Sequence, residues 1–396
     1  MIILDYSVAF LLLLTCFLVL YLFLQIVLGL LFFSSKKVRV LPNLTRPTVT
    51  VLIPAHNEEL VLAKTLKSVL NQTNENDSVV VVIDNCTDGT EDVCSNFDAK
   101  MLIREDTQNR SKGFALDFGL KKIKDAPTDC IIIIDADCIL ENDALEILAK
   151  SAVYHDRPIQ ALYLIKNLPG QSCSITQKIA EFAFLIKNKI RPAGMRVLGL
   201  PCHLTGTGMA FPWQSLIQAN LANDNLVEDM KLGIDFVLAG KGPYYEPLAI
   251  VSSHFPTDEK AIESQRTRWE HGHISTMLRF IPALVLSSLR KLSFVPLLFC
   301  LDLAIPPLAL LVITFICSST VSIAYLLLTN NGLYIILLGS VGFALTLSII
   351  FIWRQHGRGI ITFREFWSIP KYIFNKLGIY RKLFGRKETR WIKTKR

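Results

Sequence analysis

Three short apolar runs in this chain each end in acidic side chains, and that pattern is where chemistry is to be sought. Val49–Ile53 runs into Pro54-Ala55-His56-Asn57-Glu58, Val79–Ile83 into Asp84-Asn85-Cys86-Thr87-Asp88-Gly89, and Cys130–Ile134 into Asp135-Ala136-Asp137. One such ending is an ordinary turn, because Asp, Asn and Gly suit turns. Three of them deliver carboxylates repeatedly to the end of an apolar run. Asp135 and Asp137 sit on one tight turn and are candidate ligands for Mg2+ or Mn2+, which proteins hold with one or two carboxylates plus substrate phosphates. A cation held there would neutralise a leaving diphosphate, as sugar transfer from a nucleotide sugar requires. Glu228-Asp229 and Gln265-Arg266-Thr267-Arg268-Trp269 follow. An Arg fork suits a diphosphate, although an Arg-Trp pair is also a membrane-interface anchor, and an acidic pair is favoured at a helix start by the dipole.

The elements that must position these groups are legible between residues 46 and 290. Short β-branched runs alternate with helical patterns: strands at Val49–Ile53, Val79–Ile83, Met101–Arg104, Cys130–Ile134 and Ile159–Ile165, with helices between them. Such alternation predicts an α/β domain with a mostly parallel sheet covered by helices on both faces. In that architecture ligands sit beyond the carboxyl ends of the strands, where the acidic endings fall. No GxxxxGK[ST] is present and no GxGxxG follows a strand, so a P-loop ATPase and a dinucleotide dehydrogenase are unsupported. Gly206 and Gly208, within Thr205–Phe211, permit close backbone approach to a ligand. His271 and His273 are two apart and point to different sides of a helix, which argues against a metal role. Nine cysteines without a CxxC read as free thiols.

Taken in order, Pro54–Glu59, Asp84, Asp135-Ala136-Asp137, Val227-Glu228-Asp229 and Gln265-Arg266-Thr267-Arg268-Trp269 resemble the D, DxD, ED, QxxRW series of membrane-bound family 2 glycosyltransferases. That branch includes cellulose, chitin and hyaluronan synthases and ceramide glucosyltransferases. The resemblance spans about residues 48–290 and implies a GT-A fold, Rossmann-like, in a cytoplasmic domain. By that resemblance Asp84 contacts the uracil of a UDP-sugar, and Asp135 and Asp137 hold metal and diphosphate. Glu58, Lys112, Gln265 and Arg268 belong to the donor side. The family's basic stretch appears here as Lys112-Gly113-Phe114, with the usual Ala-Gly order replaced. Asp229 is implied as the general base that takes the acceptor hydroxyl's proton, with Glu228 beside it and the family's Thr replaced by Val227. The sequence alone does not decide between the two acids. Trp269, Gly208 and Met209 are implied on the acceptor side, and one displacement with one base implies inversion.

The rest of the chain is expected in a membrane. Hydrophobic residues make up 51% and charged residues 19%, with mean hydropathy +0.39, too apolar for a disordered chain or an ordinary cytosolic enzyme. Residues 6–35 are uncharged and long enough to span. Residues 303–353 are uncharged too, and Thr329-Asn330-Asn331-Gly332 divides them into two spans. Pro306-Pro307 is expected to end an interface segment that starts near residue 292. Lys36, Lys37 and Arg39 after the first span and Arg354 and Arg358 after the last give one topology: N-terminus outside, middle domain inside, short hairpin outside and C-terminus inside. The net charge is +8, with 13 Lys+Arg against two Glu from Arg354 onward. A basic, aromatic-bearing tail at 354–396 suggests amphipathic helices on anionic lipid sooner than nucleic acid. The expected organisation is a transmembrane helix at 6–35, the GT-A domain at 46–290, an interface segment and two transmembrane helices at 292–353, and the tail.

Three spans do not easily enclose a sugar-wide pore in one chain. The expected reaction is therefore metal-dependent, inverting transfer of one sugar from a UDP-sugar to a lipid or lipid-linked saccharide acceptor, at the cytoplasmic face of a bacterial inner membrane. Chain-extending synthesis of an extracellular polysaccharide is the alternative, and an oligomer is compatible with it. An inactive scaffold of a polysaccharide complex would be expected to lack some of the carboxylates, and none is missing.

Overall fold

The structure, a computed structural model, describes residues 2–34, 44–168, 173–222, 225, 227–256 and 259–383. Lys36, Lys37 and Arg39, on which the orientation of the first apolar helix rests, and residues 384–396 of the basic tail lie outside the described residues.

In chain order the elements are α1 (Ile2–Ser34), β1 (Val49–Ala55), α2 (Leu62–Leu70), β2 (Ser78–Asp84), α3 (Thr90–Ser95), β3 (Lys100–Arg104), α4 (Lys112–Ile123), β4 (Cys130–Ile133), β5 (Ile139–Leu140), α5 (Ala144–His155) and β6 (Ile159–Lys166). There follow α6 (Ile175–Leu185), a π-helical turn (Ile186–Ile190), α7 (Arg191–Val197), β7 (Met209–Pro212), α8 (Trp213–Ile217), α9 (Glu228–Leu238) and β8 (Tyr244–His254). The chain continues through α10 (Glu259–Lys291), α11 (Phe294–Ala304), α12 (Leu308–Thr329), α13 (Leu333–Ile352), a second π-helical turn (Trp353–Gly357), α14 (Phe363–Phe366), α15 (Ile369–Asn375) and α16 (Leu377–Leu383). Contacts divide it into two compact units. One is built on Lys36–Gln171 and Gly199–Thr276, the other on Met1–Ser35, Ser172–Leu198 and Met277–Lys387. Residues 172–198 and 277–290, inside the range expected for the GT-A domain, thus group with the apolar helices.

The first unit holds an eight-stranded sheet in the order β3-β2-β1-β4-β7-β6-β8-β5. β3, β2, β1 and β4 run parallel, as do β6 and β8, while β7 is antiparallel to both neighbours and β5 to β8. The apolar runs of β1, β2 and β4 are buried along their length because helices cover both faces. α4 lies close on the sheet, since a Cβ on Gly119 would come within 2.7 Å of Leu52 and 2.9 Å of Val82. The core joins Leu52, Val82 and Ile131 to Leu116, Phe211 and Phe236. The antiparallel register pairs Ile133 with Met209, so the start of β7 lies at the carboxyl end of β4. One edge of the sheet therefore receives Asp84, Asp135 and the loop that precedes Met209.

In the helical unit, α12 and α13 fall where the two C-terminal spans were expected, with Pro306-Pro307 separating α11 from α12. Among the described residues, four helices are long and apolar enough to cross a membrane: Val8–Ser34, Ile262–Lys291, Leu308–Thr329 and Leu333–Gly357. The second of these adds to the three expected spans, because the charges in the first half of α10 hide the apolar character of its second half. α1 and α7 pack backbone to backbone: a Cβ on Gly29 would sit 2.1 Å from the Ile190 carbonyl oxygen, and one on Gly194 equally close to that of Gln25. Beside this crossing, Arg191 Nη2 pairs with Asp302 Oδ1 at 2.6 Å. Gln25 completes the cluster, its Nε2 donating to Asp302 Oδ1 (2.7 Å) and its Oε1 accepting from Arg191 Nε (3.0 Å). Thr15 and Ser318 share a buried hydrogen bond between α1 and α12.

Candidate active site

Asp84 ends β2 and Arg104 ends the adjacent β3, and the register pairs the two residues directly. Arg104 Nη1 donates to Asp84 Oδ1 at 2.6 Å, and Asn85 Nδ2 donates to the same oxygen at 3.0 Å. The other arm of Arg104, Nη2, reaches Asp106 Oδ2 and the Asn109 carbonyl. Hydrogen bonds from Asn109 and Gln108 hold the Asp106 carboxyl down at about 2, so it stays charged and anchors the guanidinium. His56 Nδ1 meets the Asp84 carbonyl at 2.6 Å. The turn after β1 is stitched to the turn after β2: Thr87 N donates to Asn57 Oδ1, Gly89 N to Glu59 Oε2, and Glu58 N to Thr90 Oγ1. Glu58 is half-buried there.

The turn after β4 carries Asp135 and Asp137. Thr207 Oγ1 accepts from the Asp135 backbone N–H at 3.0 Å, and Thr65 Oγ1 donates to the Ala136 carbonyl at 2.7 Å, which fixes the turn between two elements. Side-chain donor atoms of Asp135, Asp137 and Cys138 lie within 4.8 Å of one another. The carboxylates fit a hard divalent cation, which takes oxygen ligands. Cys138 is a poor third ligand, because burial pushes its thiol far above the ordinary range and keeps it protonated.

Lys112, at the start of α4, forms an ion pair with Asp135 and donates to the Gly206 carbonyl at 2.7 Å. Burial works against its ammonium, but the charges of Asp135, Glu228 and Asp229 outweigh that, and its pKa is raised. Gly206 has φ +90, a conformation that favours glycine. A Cβ there would stand 3.4 Å from Asp229 Oδ2, 3.4 Å from Lys112 Nζ and 3.9 Å from Asp135 Oδ2, so these three groups surround one point. Glu228 and Asp229 open α9, and Asp229 Oδ1 accepts from Met230 N at 2.7 Å. Burial pushes the Glu228 carboxyl up, the charge of Asp229 adds to the push, and Lys112 offsets part of it. Arg268 lies within electrostatic reach of Glu228, Asp135 and Asp229, and its Nε is buried without a hydrogen-bond acceptor. Gln265 and Trp269 are half-buried on α10, within one turn of Arg268.

Met209 is not where an acceptor would meet it. It is 1% exposed and packs in the core with Ile133 and Phe211, because β7 begins at this residue and turns its side chain inward. Gly208, at φ +63, serves packing: a Cβ would come 2.7 Å from that of Ala161. Sequence reasoning missed Gln160 on β6, whose buried amide accepts from Thr205 N (2.9 Å) and donates to the Thr207 carbonyl (3.0 Å), bracing the Gly206 loop. It also missed Arg104, although a cation ending the strand after an acid-ended strand was a usable signal.

The family described as glycosyltransferase like family 2 matches residues 47–272. The chain is 27% identical over 249 residues to a probable glycosyltransferase, YdaM, of Bacillus subtilis, covering 59% of this chain and 57% of that protein. It is 26% identical over 236 residues to a poly-beta-1,6-N-acetyl-D-glucosamine synthase of Staphylococcus aureus, covering 58% and 56%. The chain therefore spans about half the length of the curated relatives it matches. Among solved structures, a mannosyltransferase from Pyrobaculum calidifontis, in complex with GDP-Man and Mn2+, aligns over 96% of this chain and 99% of its own with TM-score 0.56 and 16% identity, a likeness of fold.

Proposed function

The chain belongs to glycosyltransferase like family 2, and from that premise we propose that it moves one sugar from a UDP-sugar to a lipid or lipid-linked acceptor at a bacterial membrane, inverting the anomeric centre. The observation that carries this reading is the convergence of Asp135, Lys112 and Asp229 around Gly206. It supports the reading because a cation suited to a diphosphate, a carboxylate suited to a metal and a candidate base lie around one point.

Each residue then has a task. Asp84 offers Oδ2 to an imide N–H of the base, because Oδ1 is occupied by Arg104 and Asn85. Lys112 and Arg268 neutralise the diphosphate oxygens, Lys as a point charge and Arg as a planar fork. Asp135 and Asp137 hold the divalent cation, Mg2+ or Mn2+, whose chemistry when bound is to stabilise the departing diphosphate. Asp229 takes the acceptor proton. Glu228 is the weaker candidate for that role, because a carboxyl whose pKa is raised in this way is more often protonated. Trp269 offers a flat face to the acceptor sugar.

A polysaccharide-extending reading is favoured by one observation, the similarity to the poly-N-acetylglucosamine synthase. Product partitioning separates the two. The protein in liposomes of native lipid extract receives labelled UDP-sugars, with GDP-mannose as comparator, and Mg2+ or Mn2+. We expect label in a small solvent-extractable glycolipid. Label in large, non-extractable material would establish elongation and overturn single transfer.

A further inference from the structure

Where the ends of α1 and α13 meet the first π-helical turn stands a lysine with no carboxylate partner among the described residues. Lys189, on the turn Ile186–Ile190, is half-buried, stands 4.9 Å over the Phe33 ring and makes no ion pair with a carboxylate among the described residues. Its Nζ lies 3.5 Å from Nδ1 of His356, on the turn Trp353–Gly357. An ammonium only donates, so His356 Nδ1 is the acceptor and Nε2 carries the proton. That Nε2 is buried and has no hydrogen-bond partner among the described residues. The His356 ring meets Phe33 edge-on at 5.8 Å between centroids.

Two independent groups therefore lack the same thing. One is a cation without a counter-ion and the other a buried N–H donor without an acceptor, and an anion with several oxygens satisfies both. The turn that bears His356 is also held in place. Gly357 packs so closely on Phe182 that a Cβ would come within 2.6 Å, and Trp353 Nε1 donates to the Ile361 carbonyl at 2.7 Å, which fixes the turn bearing His356. Both contributors sit on π-helical turns, a distortion that costs regular hydrogen bonding and occurs frequently at functional sites. His356 and Phe33, the two rings beside Lys189, lie at the ends of helices long and apolar enough to span, Leu333–Gly357 and Val8–Ser34; in a membrane such ends lie near headgroup level, where basic pockets between spanning helices take lipid phosphates.

We propose that Lys189 and His356, presented by two π-helical turns against Phe33, form a binding site for the phosphate group of a membrane lipid. Neither residue belongs to the carboxylate site, and the site is independent of the transfer reaction.

The test is lipid retention by the full chain in detergent, read by native mass spectrometry without any sugar donor. The probes are dioleoyl phosphatidic acid, dioleoyl phosphatidylglycerol and phosphate-free dioleoylglycerol, each with and without excess inorganic phosphate. We expect both phospholipids to be retained and dioleoylglycerol not. Lys189→Met and His356→Phe should each lower phospholipid affinity about tenfold, the scale of one charge-assisted hydrogen bond, and Lys189→Arg should keep it. Cooperative melting certifies each variant as folded. Should Lys189→Met fail that check, His356→Phe and Lys189→Arg decide the matter. Equal retention of dioleoylglycerol, or unchanged retention by folded variants, would overturn the proposal. Full displacement by inorganic phosphate would overturn the lipid as the source, since the site would then read free phosphate.

Discussion

Charge is buried in two places in this protein and arranged oppositely in each. In the helical unit, Arg191 and Asp302 are 8% and 4% exposed and answer each other one for one, with Gln25 taking up remaining donors and acceptors. In the unit that holds the sheet, four carboxylates, Asp135, Asp137, Glu228 and Asp229, gather with Lys112 and Arg268 among the cations near them. A matched cluster has no further use for a ligand and serves to fix helices. A cluster in which carboxylates crowd one another offers oxygen ligands to a divalent cation, and its carboxylates perturb one another's protonation.

That contrast can be broken from either side. The largest effect should come from Asp229→Asn. Removing a general base costs about a thousandfold in turnover, and calorimetric UDP binding should survive. Turnover retained in that variant would move the base elsewhere. Next is Arg191→Met, which strands the buried Asp302 and should cost about 3 kcal/mol. Arg191→Met combined with Asp302→Leu should recover most of the loss, because an apolar pair asks for no partner. Melting curves in detergent decide this, and a double variant as unstable as the single one would show that the pair does more than match charge.

The smallest effect concerns pH. An unfolded glutamate titrates near about 4.3, and Glu228 is raised above that in the fold. Between the two values the folded chain holds a proton that the unfolded chain has lost, so Glu228 subtracts stability progressively as pH rises through that window. Glu228→Gln should remove this decline. The difference in melting temperature, wild type minus variant, should fall as pH rises, and a difference independent of pH would refute the assignment.

How much of this the sequence discloses depends on the distance over which a residue's meaning is set. Asp84, Asp135 and Asp137 were legible because an apolar run and the acid that ends it are adjacent in the chain, and parallel strands place all such ends on one edge. Arg104 and Gln160 were not, because each acts across a register known only when strands pair. Met209 looked like part of a loop beside two glycines, yet β7 begins there and directs it into the core. Arg191 resembled any surface cation of an amphipathic helix, since Asp302 lies far along the chain and just before the long uncharged run.

The placement of β7 has a temporal consequence. It is the centre strand, bonded to β4 on one side and β6 on the other, and the ribosome makes it after both. Until Met209–Pro212 emerges, the nascent sheet exists as separate pieces, and β4 presents an unpaired edge of Cys130–Ile133, the kind of edge that invites pairing with another chain. Of the residues proposed for the donor, Asp84, Lys112 and Asp135 precede that moment, while Arg268 on α10 and the proposed base on α9 follow it. Synthesis thus makes part of the proposed donor site before the proposed base and the rest after it.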